Sequence, residues 1–125
     1  MPKTWYSYRM RRDVAMLTAS EEQSLWPHLQ GVARRIKAEM DNRGVGMEEV
    51  QRHVFQKAMT VYSDLTGERL EHWQQLYCVA MSAYGPPCPE CGRPFRTPRA
   101  KLCAECGFEL PAGSIASDLG RLEDY

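Results

Sequence analysis

The chain has 125 residues, a length that fits one domain or one small domain with an appendage. Sixteen basic residues balance sixteen acidic ones, which argues against a general nucleic-acid coat or a polybasic membrane binder. No run approaches the roughly 18 apolar residues of a membrane helix, and the N-terminus has no apolar signal-peptide core. We therefore expect a cytoplasmic protein with no membrane association.

Residues 1–17 are predicted to be an aromatic and basic N-terminal arm or strand. Aromatic groups alternate with small or charged ones over residues 4–10, a pattern typical of a strand. The cluster also suits partner contact, because aromatic and arginine side chains dominate protein interfaces and single-strand binding surfaces. Packing in the core is our first interpretation, protein contact the second and nucleic-acid contact the third. The candidate contact residues here are Trp5, Tyr6, Tyr8 and Arg9.

Residues 18–84 are predicted to form a three-helix domain. Thr18-Ala-Ser-Glu21 has the Ser/Thr-x-x-Glu form of a capping box, so the first helix should begin there. Its apolar residues recur at spacings of three and four as far as Met40. Pro27 interrupts this stripe and predicts either a bend or a short helix that leads into a longer one. A second helix is expected from about Met47 to Leu65.

A third helix is expected from about Glu68 to Ala83, and its apolar middle predicts that it is the central one. Gly85-Pro86-Pro87 cannot continue a helix and marks the boundary of the domain. The next segment, residues 85–113, contains the paired cysteines. Residues 114–125 are predicted to be a flexible acidic tail.

Four cysteines stand in two matched C-x-x-C pairs: Cys88, Cys91, Cys103 and Cys106. Each pair lets two thiolates point at one ion from a tight turn, and a glycine follows each pair where positive φ is often needed. Iron, a redox dithiol and two disulfides are the alternatives to zinc. Cytosolic thiols stay reduced, which favours a metal, and a closed four-cysteine set predicts a structural rather than a catalytic ion.

The stretches Cys88-Pro-Glu-Cys-Gly92 and Cys103-Ala-Glu-Cys-Gly107 resemble the C-P-x-C-G and C-x-x-C-G knuckles of the zinc-ribbon families. The resemblance covers about residues 85–110. It implies four cysteine ligands, one structural Zn²⁺ ion and a ribbon fold, but no particular partner. The wider stretch from Tyr84 is similar to the tail of small, uncharacterised bacterial proteins with a helical front half, a likeness that implies an immunity protein paired with a toxin.

Four basic residues lie between the cysteine pairs: Arg93, Arg96, Arg99 and Lys101. They can be interpreted as a solvated hairpin, or as a phosphate-binding surface on which Phe95 stacks against a base. Glu90, Glu105 and Glu109 lie in the same segment and dilute the positive field. Together with the neutral net charge, these acids favour the solvated hairpin.

We find no catalytic constellation in the sequence. Cys78 has no neighbour that would orient a base, and His53 and His72 are interpreted as surface or boundary residues. The predicted fold class is α with a small β component: a three-helix N-terminal unit and a C-terminal four-cysteine zinc ribbon. The predicted function is a non-enzymatic, zinc-stapled protein-binding module of the inhibitor, immunity or adaptor kind. The alternative is a nucleic-acid-binding, transcription-accessory protein.

Overall fold

The computed structural model describes residues 3–44 and 46–125, and it begins with a β-hairpin. Strand β1 (Lys3–Ser7) pairs antiparallel with β2 (Arg12–Met16), in a register that places Lys3 opposite Met16. Residues 14–17 are all buried, so both faces of the end of β2 are covered by the rest of the chain. The predicted N-terminal arm, residues 1–17, therefore contains both strands of a hairpin, and Met1 and Pro2 lie outside the described residues.

The predicted first helix is divided in two at the proline. Helix α1 (Ala19–Leu25) starts with the predicted capping box, in which the Thr18 hydroxyl accepts from the Glu21 backbone N–H. A short 3-10 helix, Trp26–His28, carries the proline and leads into α2 (Val32–Arg43). This confirms the expectation of a short helix that leads into a longer one.

The second predicted helix is confirmed as α3 (Met47–Thr66), which forms the centre of the core. It packs mainly against α2, α1 and the segment that follows it. One stripe of its side chains is buried: Val50, Val54, Phe55, Ala58, Tyr62 and Thr66. Tyr62 donates its hydroxyl hydrogen to the carbonyl of Ala15 at 2.6 Å. Phe55 stacks face to face on Trp73, with 4.3 Å between ring centroids.

The predicted third helix is wrong in type, and it is not the central helix. Residues 68–72 are irregular, and two 3-10 helices follow them, Trp73–Cys78 and Met81–Ala83. Between these, the Leu17 N–H donates to Val79 and the Met81 N–H donates to Leu17, which forms a parallel bridge with the end of the hairpin. Leu76, Cys78, Val79 and Met81 are buried, and the pairing of Val79 and Met81 with Leu17 takes up backbone groups that an α-helix would use.

The C-terminal residues pack against both halves of the molecule. Residues 114–125, for which the composition predicted a flexible tail, contain two 3-10 helices, Ala116–Leu119 and Leu122–Asp124. Ala116 is buried among the residues of the cysteine unit, while Leu122 is buried in the helical core. The tail thus joins the two halves, because two of its apolar residues, Ala116 and Leu122, fit two separate cores despite its acidic composition.

Candidate metal centre

Each cysteine pair lies in a tight turn closed by backbone hydrogen bonds, which we call a knuckle. In the first knuckle the Cys88 N–H donates to Arg93 and the Gly92 N–H donates to Cys88, both at 2.9 Å. In the second, the equivalent bonds from Cys103 and Gly107 are both 2.7 Å long. Gly92 and Gly107 have φ values of 78° and 84°, a backbone conformation that is strained for any residue with a side chain. The glycine after each pair therefore has the role that the sequence predicted.

The two knuckles bring the four sulfurs into one cluster. All four Sγ atoms lie within 4.8 Å of one another. The Cys88–Cys106 and Cys91–Cys103 sulfur pairs are each 3.7 Å apart. A tetrahedron with metal–sulfur bonds of about 2.3 Å has an edge of about 3.8 Å, so the spacing fits a four-coordinate ion. Disulfides would require sulfur–sulfur distances of about 2.05 Å, and all five cysteines are free thiols.

The cluster has one buried and one exposed side. Cys88 and Cys103 are buried, whereas Cys91 and Cys106 are exposed. Burial raises the pKa of the Cys103 thiol to about 12. Burial acts in the same direction on Cys88, but hydrogen bonds from the N–H groups of Cys91 and Glu90 and with the thiols of Cys106 and Cys103 together outweigh it and lower its pKa. A metal ion would replace the remaining thiol protons, so metal binding should release protons.

The segment around the cluster has a very small apolar core. Its buried members are Cys88, Phe95, Cys103 and Ala116, with three partly buried residues packed on them. Phe95 is completely buried, so it cannot stack on a nucleic-acid base as one interpretation of the basic loop required. Two of the clustered cysteines, Cys88 and Cys103, belong to this core, so an ion bound by the cluster would hold the segment together.

The aromatic residues of the arm contact other residues of the same chain. The Arg93 guanidinium lies 3.9 Å from the centroid of the Tyr6 ring, and that of Arg96 lies 4.6 Å from the Tyr8 ring. Trp5 packs on the helical core, and its indole Nε1 is buried with no hydrogen-bond partner in the described part of the chain. Four of the eight candidate contact residues thus contact one another.

The remaining candidate contact residues are exposed: Arg9, Arg99 and Lys101. Arg9 interacts with the Tyr8 side chain, whose hydrogen bond raises the pKa of the guanidinium. Neither Arg99 nor Lys101 forms an ion pair with a carboxylate among residues 3–44 and 46–125. These two exposed residues lie in the connection between the knuckles.

The sequence did not reveal the contacts of two residues near the cluster, Glu105 and Gly85. Glu105, which was considered only as a charge that dilutes the basic loop, contacts both Arg93 and Arg96. Gly85 allows the close approach of the cysteine unit, because a Cβ atom there would lie 2.8 Å from the Cβ of Phe95. The position of Glu105 between two metal ligands was a usable signal, whereas nothing local distinguishes Gly85 from an ordinary linker glycine.

The scattered histidines and the fifth cysteine have structural contacts. His53 Nδ1 lies 2.9 Å from the Glu39 carboxylate and links α2 to α3. His72 caps a 3-10 helix by accepting from the Gln74 N–H at 3.1 Å. The Cys78 thiol points at the carbonyl of Gln74, four residues earlier, at 3.9 Å. Each contact is of the kind that holds a fold together.

The chain matches no protein-family model, no curated protein and no solved structure. Within the described residues, no helix combines the length and the apolar character needed to span a bilayer. The four clustered cysteines, which could hold a metal ion in a manner compatible with a zinc ribbon, therefore carry the functional argument.

Proposed function

We propose that the chain is a non-enzymatic protein-binding module, held in shape by one structural Zn²⁺ at Cys88, Cys91, Cys103 and Cys106. The observation that carries the proposal is the four-sulfur cluster, whose spacing supplies all four corners of a tetrahedral site. Four protein ligands leave no open position for water or substrate, which is characteristic of structural zinc. Tetrahedral sulfur sites select zinc or iron, and zinc adds no redox chemistry.

The size of the cysteine unit supports a structural role for the ion. Residues 85–113 bury few apolar side chains of their own, too few to hold a unit of this size without help. Zinc binding is worth about 10–16 kcal/mol in comparable small units, enough to fold a segment with so small a core.

Exposed apolar side chains support binding of a protein partner. Trp26 is 53% exposed, Met47 is 49% exposed and Tyr77 is 46% exposed. Aromatic and methionine side chains of this kind are enriched at protein interfaces. The likeness to small bacterial proteins gives the proposal its concrete form, a cytoplasmic inhibitor, immunity or adaptor protein whose partner carries the chemistry.

The metal part of the proposal is tested by measuring metal content. We expect one zinc per chain by elemental mass spectrometry of protein expressed in medium that supplies both zinc and iron. Cys106→Ser should lose the metal, whereas Cys78→Ser, a matched control outside the cluster, should keep it. Full occupancy in Cys106→Ser, or iron in the wild type, would refute the assignment of a structural zinc ion.

The partner is tested by purifying the tagged chain from its host with and without nuclease. We expect one protein to copurify in near-equal amount in both preparations. Its recovery should fall with Trp26→Ala or Tyr77→Ala. It should not fall with Arg34→Ala, a control that removes a charged side chain, not an apolar one, from an exposed position on a helix. Copurifying proteins that disappear after nuclease treatment would instead point to nucleic acid as the ligand.

A second candidate function, nucleic-acid binding, is favoured by the tip of the hairpin. Arg9, Arg11 and Arg12 are exposed there, and no carboxylate forms an ion pair with them in the described part of the chain. Affinity for single-stranded DNA should then fall steeply with salt, with a shallower dependence in Arg11→Ala. Because Arg96 is held by Glu105 and Tyr8, Arg96→Ala should change that slope less. Equal slopes in wild type and Arg11→Ala would exclude the hairpin tip.

A further inference from the structure

Two arginine–tyrosine pairs join the cysteine unit to the N-terminal hairpin. Arg93 covers the ring of Tyr6 and Arg96 covers the ring of Tyr8, at 3.9 Å and 4.6 Å from the ring centroids. Tyr8 also meets the edge of Tyr84, at the joint before the first knuckle. A guanidinium over an aromatic ring is attracted by the ring quadrupole, so these pairs hold the segment after the first knuckle against the hairpin.

One carboxylate holds both arginines. Glu105 Oε2 lies 3.5 Å from Arg93 Nη1, and Glu105 Oε1 lies 3.2 Å from Arg96 Nη2. The Glu105 side chain is only 12% exposed, whereas the two guanidiniums are about half exposed. The pairs are therefore partly shielded from water and fix the directions in which both arginines point.

Glu105 and the two arginines belong to opposite sides of the metal centre. Glu105 lies in the second knuckle, between Cys103 and Cys106, while Arg93 and Arg96 follow the first knuckle. The backbone bonds that close each knuckle join residues of that same knuckle. An ion shared by all four sulfurs would fix the distance between the knuckles, and with it the position of Glu105 relative to the arginines.

We propose that Glu105 couples the metal centre to the hairpin, so that metal loss releases Arg93 and Arg96 from Tyr6 and Tyr8. The inference rests on the proposed metal binding and adds a mode of regulation to the proposed function. In the metal-bound state Arg93 stacks on Tyr6 and Arg96 stacks on Tyr8, so all four side chains are engaged within the chain. In the metal-free state they are uncovered, and tyrosine and arginine are the residue types that dominate binding hot spots. Removal of the metal would therefore expose residues that the metal-bound form covers.

The test uses NMR of the full chain with zinc bound and after treatment with a chelator. A proton held over an aromatic ring is shifted upfield, so the Arg93 and Arg96 side-chain signals report the stacking directly. We expect chelation to remove these shifts while the amide signals of α3 remain dispersed. Glu105→Gln should keep one zinc per chain and still lose most of the shift. Glu109→Gln is a matched change at an exposed glutamate of the same unit, and it should keep both the bound zinc and the upfield arginine shifts.

Limited trypsin digestion gives a second measurement. Cleavage after Arg96, Arg99 and Lys101 should rise about tenfold on chelation, which corresponds to about 1.4 kcal/mol of lost docking. Cleavage after Arg52 and Lys57 in α3 should change little. Glu105→Gln should show a smaller rise with zinc still bound.

Three results would overturn the coupling. Unchanged arginine shifts in Glu105→Gln would show that the carboxylate does not hold the stacks. Loss of zinc from Glu105→Gln would make Glu105 part of the metal site instead. Simultaneous collapse of the α3 signals on chelation would mean that the metal supports the whole fold. Failure of the wild type to bind zinc would instead refute the proposed function, and metal analysis of the wild type detects that outcome separately.

Discussion

The joint between the two halves of the molecule can be tested with one added carbon atom, in Gly85→Ala. Gly85 is buried, and its N–H donates to the Phe95 carbonyl at 2.9 Å. An added Cβ would lie 2.8 Å from the Cβ of Phe95, 2.9 Å from the Thr97 carbonyl oxygen and 3.1 Å from the Cβ of Ala116. The φ angle of Gly85 lies outside the left-handed region, so alanine adds no backbone strain and the substitution tests only the space around the new Cβ.

The cost follows from those distances. Non-bonded carbon atoms are most stable at about 3.5–4.0 Å, so the new methyl group overlaps its nearest neighbour by about 0.7 Å or more. Two of the neighbouring atoms are a backbone oxygen and a Cβ, which cannot move unless the chain moves with them. Such overpacking costs about 1–3 kcal/mol. At about 4 °C for each kcal/mol in a chain of this length, Tm should fall by about 4–12 °C.

The assay is thermal unfolding of the zinc-loaded protein followed by circular dichroism. Gly46→Ala is the matched control, because its φ of −69° suits alanine and a Cβ there meets nothing within 4 Å. We expect Gly46→Ala to unfold within about 2 °C of the wild type, as open surface sites do. If Gly85→Ala unfolded together with this control, the close packing of the cysteine unit against the joint would be wrong.

Three further predictions concern the core, the C-terminus and the metal. Tyr62→Phe leaves the Ala15 carbonyl without its 2.6 Å partner and should cost about 1–3 kcal/mol in urea unfolding. Burial raises the pKa of Tyr62 from 10.0 to about 12, so its contribution to stability is complete below pH 10 and is lost as the pH rises towards 12. Tyr62→Phe should therefore lose less stability than the wild type over that interval, and an equal loss would contradict the burial. Leu122→Ala should cost about 2–5 kcal/mol, whereas the exposed Tyr125→Ala should cost under about 0.5, and similar values for both would indicate a loose tail. Zinc should dissociate as the pH is lowered, because protons compete for the thiolates, and retention of zinc at pH 3 in the presence of a chelator would contradict thiolate ligation.

The helices with local signals were predictable from the sequence. The capping box at Thr18, the break at Pro27 and the apolar stripe of α3 each act within one or two turns, so they are visible in the sequence. Residues 68–83 were not predictable in this way. Their apolar pattern is the same for a buried α-helix and for buried 3-10 turns, and only the pairing of Leu17 with Val79 and Met81 selects the second.

The cluster of four candidate metal ligands was predictable for the same reason. Two cysteines separated by two residues and followed by glycine form a knuckle by local geometry, so both halves of the site could be read directly from the sequence. The roles of the aromatic and basic residues could not. Tyr6 and Arg93 are 87 positions apart in the sequence, and their stacking depends on how the cysteine unit docks on the hairpin.

The sequence by itself thus determined the elements whose signals are short: the cap, the proline break, the α3 stripe and four thiols set for one ion. Only the tertiary structure decided that Leu122 fills the helical core, that Gly85 lets the two halves approach and that Glu105 holds two arginines over two tyrosines. The physical reason is the range of the interactions. Capping and knuckle bonds join residues a few positions apart, whereas burial and stacking depend on partners that the folded chain alone brings together.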